Sequence, residues 1–289
     1  MASLKSKFIT PYVTLLGIAT VHTAYQLIEV APGNKAWLGA GLAVWPAALL
    51  FTRVFLANVA RTSENFYGMI VLAAVGALMT IYSAATEEVP GVGFALAYSV
   101  GVGFTGLLLY NFWYSRFDRG TNEQLQVGKI LPEFSLEDTA GNTVLSSSFQ
   151  GKPSLFIFYR GNWCPLCMAQ IKEVADMYKE MADRGVNVIL VSPQSHENSE
   201  SLAKKFDVPF QFLVDKDNQA AKQLDLLSIG GTPGGLEVLG YDTDTVLPTV
   251  LITDASGKLI FADLTDNYRV RPEPETFIRI LDEHKILPA

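Results

Sequence analysis

The chain has 289 residues, of which 49% are apolar and only 18% charged, with a formal net charge of −7; soluble domains run near 25% charged. The charge is divided: residues 1–119 hold 7 Lys/Arg and 5 Asp/Glu, residues 120–289 hold 15 and 24. This excludes a disordered chain and, through the acidic back half, a nucleic-acid partner, while two cysteines in all exclude a disulfide scaffold.

Four apolar stretches fill the front, at residues 8–30, 36–56, 66–86 and 92–114. Each has the ~20 residues an α-helix needs to cross ~30 Å of hydrocarbon, so the expectation is a four-helix region, 1–119, whose partner is the lipid bilayer. Lys5, Lys7, Arg53, Arg61, Arg116 and Arg119 flank one side, and Lys35 alone the other. The basic side is cytoplasmic, which places both termini in the cytoplasm, in a bacterial inner membrane. Trp37, Tyr82 and the run 112–114 are expected at the interfaces. Gly39-Ala43-Ala47 and Ala95-Ser99-Gly103 allow close helix approach, and Pro46 is expected to kink its helix. His22, Tyr25 and Glu29 fall on one helical face. Ionisable groups in a membrane are functional candidates, yet a single His excludes bis-histidine haem ligation within one chain.

A polar linker, 120–128, leads into alternating β and α patterning over 129–289, the mark of an α/β domain. Residues 155–159 and 186–191 are apolar runs of buried-strand length. A helix spans 164–183 by its i, i+3/i+4 apolar spacing, with Gly185 as its cap. Helices around 198–206 and 218–225 enclose a strand at 210–214. Strands 250–253 and 259–262 flank the turn Asp254-Ala255-Ser256-Gly257, and an amphipathic helix, 275–285, closes the chain.

The chemistry is carried by Tyr159-Arg160-Gly161-Asn162-Trp163-Cys164-Pro165-Leu166-Cys167, where a buried strand gives way to a helix. Unpaired backbone N–H groups and the positive dipole end stabilise a thiolate at a helix N-terminus, and Arg160 adds positive potential. Pro165 suits the first helical turn. Cys164 is therefore expected to attack and Cys167, one turn deeper, to resolve. A structural zinc site needs about four ligands, and only His22, His196 and His284 join the two cysteines. No metal or cofactor is expected beyond the redox-active pair itself.

This segment resembles the thioredoxin superfamily, and within it the peroxiredoxin-like AhpC/TSA, or redoxin, branch, over about 127–285. The likeness is carried by Gly128–Leu136, Asp138-Thr139-Ala140-Gly141, the Arg160–Cys167 segment, Leu247-Pro248-Thr249 and Asp266–Glu275. It implies a thioredoxin-like fold behind the membrane bundle and a cis Pro248, with the Leu247 backbone free to dock an extended substrate. Trp163 before Cys164 is thioredoxin-like, and Pro165 after it peroxiredoxin- and glutaredoxin-like. Typical peroxiredoxins carry a Pro seven and a Thr or Ser three residues before the attacking Cys. Counted from Cys164 these positions are Ile157 and Gly161. The expectation is a membrane-anchored thiol oxidoreductase acting on a disulfide or peroxide, with disulfide exchange favoured, and recycled by a cytoplasmic thiol reductant. A second reading makes the domain a redox sensor for a quinone- or lipid-binding or transport bundle. Arg269 and Arg271 share a face of an extended segment; they either meet the acidic surface or bring a guanidinium, Arg271 in particular, to the cysteines.

Overall fold

The computed structural model describes residues 2–288 and divides into two units. One holds Leu4–Asn58 and Ser63–Arg116, the other Val59–Thr62 and Phe117–Ala289.

The first unit is helical. α1 (Ala2–Tyr25) continues as a wider π-turn, Gln26–Val30; α2 (Lys35–Leu56) and α3 (Tyr67–Thr86) follow. α4 (Val92–Tyr114) is a continuous helix widened over Ala97–Thr105 and Tyr110–Tyr114. All four are long and apolar enough to cross a membrane. The small residues act as their spacing predicts. A Cβ on Gly39 would lie 2.5 Å from the Gly76 carbonyl oxygen, and one on Gly103 2.7 Å from the Ala43 Cβ. α2 runs on through Pro46 to Leu56.

Trp37, in the first turn of α2, is fully buried, and its Nε1 donates to the Pro90 carbonyl at 2.9 Å. The face of His22, Tyr25 and Glu29 does not act as a group. His22 turns inward, with Nδ1 3.0 Å from Tyr98 Oη and Nε2 3.1 Å from Gln26 Nε2, while Tyr25 and Glu29 are exposed.

The second unit is built on a seven-stranded sheet in the order β2-β1-β5-β4-β3-β8-β9. Its strands are β1 (Ser135–Glu137), β2 (Thr143–Leu145), β3 (Ser154–Phe158), β4 (Asn187–Ser192), β5 (Gln211–Val214), β8 (Thr249–Thr253) and β9 (Leu259–Asp263). β3, β4 and β5 are parallel, and β8 runs antiparallel to β3 with Phe158 opposite Thr249. β3 is buried along its whole length, which explains its unbroken apolar run: both faces are covered. On one face Phe134, Phe156, Phe158, Ile189, Leu213 and Leu251 form the core.

Helices α5 (Pro165–Asp176) and α6 (Tyr178–Asp183) replace the single helix expected over 164–183, with a break at Met177. α7 (His196–Phe206) starts at Ser195, whose Oγ accepts the Asn198 N–H. α8 (Gln219–Gln223) starts where the buried Asp215 carboxylate accepts the N–H groups of Ala220 and Ala221, at 2.7 and 2.8 Å. Between α8 and β8, β6 (Leu227–Ser228) pairs with β7 (Thr245–Val246) and frames a loop, 229–244. α9 (Pro274–Glu283) closes the fold.

The segment around 120–128 is not a free linker. Leu125 is buried in the core, Asn122 donates to the Leu224 carbonyl, and Arg119 docks on the Pro248 carbonyl and on Thr249 Oγ1.

Candidate active site

β3 delivers Tyr159 and Arg160 to the carboxyl end of the sheet, and the chain turns through Gly161 to reach Cys164 and Cys167. Gly161 has φ +145°, and a Cβ there would lie 2.7 Å from Trp163 Nε1, so the tight turn that sets Trp163 across its mouth requires glycine. Cys164 is the residue capping α5, Pro165 opens the helix, and Cys167 lies in its first turn. Both cysteines are reduced and buried, Cys164 at 2% exposure and Cys167 at 0%.

Sequence placed the stabilised thiolate on Cys164; the contacts fall on Cys167. The Arg271 guanidinium donates to Cys167 Sγ from Nη2 at 3.4 Å and to Gln170 Oε1 from Nη1 at 2.7 Å. Burial pushes both thiols up, but at Cys167 it is outweighed by the Cys164 thiol, the Arg271 charge, the Arg160 backbone N–H and the Arg160 charge, which bring it down to about 5. Cys164, buried and facing a sulfur that already holds the negative charge, is raised well above its ordinary value. The dipole argument was sound for a helix N-terminus in general, but here the ring of donors closes around the sulfur one turn further in. The peroxiredoxin pattern of Pro and Thr or Ser is met from neither cysteine. Counted from Cys167, the residue three before is Cys164 itself and the one seven before is Arg160.

Arg160 is 7% exposed. Its backbone serves Cys167, its Nη2 donates to the Gly231 carbonyl, and its guanidinium lies 4.8 Å from the Trp163 ring centre and 5.8 Å from that of Tyr268. Arg271 belongs to the site, as one of the two readings of that pair held; its direct contact is with Cys167 Sγ, and its charge also acts to lower the Cys164 thiol. Arg269 is also buried and donates to Thr62 Oγ1 at 3.0 Å, so neither arginine meets the acidic surface.

The expectation at Pro248 fails. No peptide bond among the described residues is cis. Leu247 is not free either: its N–H goes to the Leu226 carbonyl at 2.7 Å, and its carbonyl accepts from Thr249 Oγ1 at 2.9 Å. The β6–β7 pair already occupies the backbone that an added strand would have used.

Several residues that sequence did not single out complete the site. Gln194, 4% exposed, accepts the Asn162 N–H at 2.8 Å on Oε1, while its amide donates to Tyr159 Oη and Ser199 Oγ at 3.1 and 3.2 Å. It ties the turn before Cys164 to β4 and α7. Tyr241 Oη donates to Asn162 Oδ1 from the far side. Gln170, which orients Arg271, was legible as the residue three positions after Cys167 on the same helix face. Arg160, Trp163, Gln194, Thr232, Tyr241 and Asp242 line a cleft of about 150 Å³, which neither cysteine lines. Among the described residues no group of acidic, His or Cys side chains is arranged to hold a metal.

Residues 127–262 match the model of the AhpC/TSA family. Peroxiredoxin Q of Sedum lineare is 33% identical over 124 residues, covering 43% of this chain and 67% of that protein. Peroxiredoxin Bcp of Escherichia coli strain K12 is 29% identical over 160 residues, 55% of this chain and 97% of that one. Among solved structures, peroxidoxin BcpB from Mycobacterium tuberculosis superposes with a TM-score of 0.45 at 16% identity, covering 56% and 98% of the two chains. Through this domain the chain belongs to the AhpC/TSA family of peroxiredoxin-like proteins in the thioredoxin superfamily.

Proposed function

We propose that the protein is a membrane-anchored thiol peroxidase that works through the Cys164–Cys167 dithiol. One observation carries the reading: the Arg271 guanidinium on Cys167 Sγ in the first turn of α5. The thiolate is the reactive species, so Cys167 is the sulfur that attacks a hydroperoxide. Its sulfur bonds to the distal oxygen, the O–O bond breaks, and the alkoxide or hydroxide takes up a proton and leaves as alcohol or water. The sulfenate so formed is attacked by Cys164, and water leaves as the disulfide closes. An external dithiol then attacks Cys164, the less deeply buried of the two sulfurs. Cys167 departs, and a thiol of low pKa is the better leaving group. Arg271 thus serves both halves of the cycle, while Arg160, Trp163 and Pro165 position the turn.

The four helices supply the anchor. The basic flanks place the redox unit on the cytoplasmic side, where a thiol reductant is at hand. A reporter joined to the C-terminus that becomes active only when exported contradicts this orientation.

Intact mass and sulfenate trapping after one equivalent of peroxide test the roles of the cysteines. Cys164→Ser should accumulate a trappable sulfenate at Cys167, and Cys167→Ser should react slowly. A fast sulfenate at Cys164 in Cys167→Ser restores the opposite order, and inertness of both variants and of the parent removes the peroxidase reading.

A further inference from the structure

The cleft of about 150 Å³ that opens on Arg160 carries charges which the peroxide scheme does not use. Buried cations are ordinarily held by acidic partners. Arg160, although buried, makes no ion pair among the described residues. Its Nη2 donates to the Gly231 carbonyl, its Nε is buried without an acceptor, and the rings of Trp163 and Tyr268 lie 4.8 and 5.8 Å from the guanidinium. Its charge acts instead on the thiols, where it helps to hold Cys167 down.

Two carboxylates line the same cleft. Asp244 is committed to its own loop: its Oδ1 accepts the Gly230 N–H at 2.7 Å and the Thr243 hydroxyl at 3.4 Å. Asp242 is exposed, and among the described residues its side chain makes neither an ion pair nor a hydrogen bond. Arg160 and Asp242 thus face one small space without pairing with each other. Opposite charges held apart in this way fit a ligand that brings both. An anion alone would meet two aspartates, and a cation alone would meet the arginine.

The walls are already fixed. The Thr232 N–H donates to the Thr243 carbonyl at 3.0 Å, Thr245 Oγ1 donates to the Arg160 carbonyl at 2.9 Å, and Tyr241 Oη donates to Asn162 Oδ1. The volume falls below the ~300–1,000 Å³ of pockets for drug-sized ligands, so the occupant is a small head group.

We infer that this cleft binds a small zwitterion with an α-amino-acid head, its carboxylate on Arg160 and its ammonium on Asp242, and that it fills more readily when the Cys164–Cys167 disulfide is closed. The second part rests on the reading of the two cysteines as a redox pair. In the dithiol the Cys167 thiolate offsets the Arg160 charge; closing the disulfide removes that negative charge, and a bound carboxylate takes its place. Linkage is reciprocal. A ligand that prefers the disulfide stabilises it, so the pair is harder to reduce while the cleft is filled.

The test follows the reduction potential of the full chain, equilibrated against dithiothreitol mixtures at neutral pH and constant ionic strength, as glycine, acetate or glycinamide is added. Glycine carries both charges, acetate only the negative one and glycinamide only the positive one. Glycine should move the potential to more negative values and then saturate; tenfold tighter binding to the disulfide corresponds to about 30 mV. Acetate should act more weakly and glycinamide not at all, and in Asp242→Asn the advantage of glycine over acetate should vanish. A potential that all three probes move alike reports a general salt effect and overturns the site. If glycine leaves the potential unmoved, saturation-transfer NMR of glycine with the oxidised protein divides the outcomes: transfer overturns the redox preference, and its absence overturns the site itself. A pair that does not cycle between dithiol and disulfide without any probe contradicts the proposed function instead.

Discussion

Arg271→Met removes one charge from beside a sulfur while keeping much of the side chain's length. The guanidinium lies 3.4 Å from Cys167 Sγ with both groups buried. At an effective dielectric of ~20, charges ~4 Å apart interact by about 4 kcal/mol, which at ~1.4 kcal/mol per unit corresponds to about three pKa units. The Cys164 thiol and the Arg160 N–H remain as donors in the variant, so Cys167, now at about 5, should rise to about 8 and stop short of a free thiol. The sign follows from which form reacts. With the pKa depressed, the thiolate prevails above about pH 5 and is lost as pH falls through that value; in the variant it is lost already below about pH 8. At pH 7 the thiolate fraction drops from nearly all to about a tenth, and the peroxide step should slow about tenfold, recovering in alkali. Stopped-flow oxidation of the reduced protein across the pH range reads this directly, with Arg271→Lys as a folded control that keeps the charge. Superimposable pH–rate profiles for Arg271→Met and the parent would refute the assignment of the thiolate to Cys167.

Gly161→Ala sets a Cβ against Trp163 at a positive φ and should cost about 1–3 kcal/mol, read by thermal unfolding, with slower closure of the disulfide. Asp215→Asn leaves one oxygen for the two N–H groups of Ala220 and Ala221, and a loss of about 1–3 kcal/mol in denaturant unfolding is expected. Gly76→Val forces a side chain into the Gly39 carbonyl, 2.4 Å from the Cβ position; the detergent-solubilised chain should lose thermal stability, while the reactivity of its dithiol with peroxide stays unchanged.

Much of the architecture was legible because burial leaves a periodic mark. The run 155–159 is apolar throughout because β3 is covered on both faces, and Gly39 and Gly103 mark helix contacts because only a missing side chain lets backbones meet. The junction of strand, cysteines and Pro165 located the site for the same local reason. What escaped was whatever depends on residues distant in sequence. Arg119 reads as one more flanking charge, yet it is half-buried against Pro248, and burial lowers it to about 10. Gln194 has no pattern around it, because its partners Tyr159 and Asn162 lie more than thirty positions back. The contact to Cys167 escaped in the same way: helix position is local, but the guanidinium that touches this sulfur comes from Arg271, 104 residues beyond it.

That distant charge also sets how readily the disulfide is reduced. In the dithiol form Arg271 faces a thiolate; when the disulfide closes, the sulfur becomes neutral and the buried guanidinium keeps only Gln170 Oε1 and the Tyr268 carbonyl as acceptors. Arg271 therefore stabilises the reduced state against the oxidised one, which makes the disulfide easier to reduce. At pH 7 about two of the three pKa units act, because the variant thiol is then mostly protonated, and a factor of about 100 in a two-electron couple is about 60 mV. Arg271→Met should thus have a reduction potential about 60 mV more negative than the parent, and the gap should close as pH is lowered towards 5, where neither protein holds a full thiolate. Equilibration of both proteins against glutathione mixtures at neutral and acidic pH measures it. A potential unmoved at neutral pH, or a gap that widens in acid, means that the guanidinium does not distinguish the two redox states, and the low pKa of Cys167 must then come from the Cys164 thiol and from the N–H and charge of Arg160.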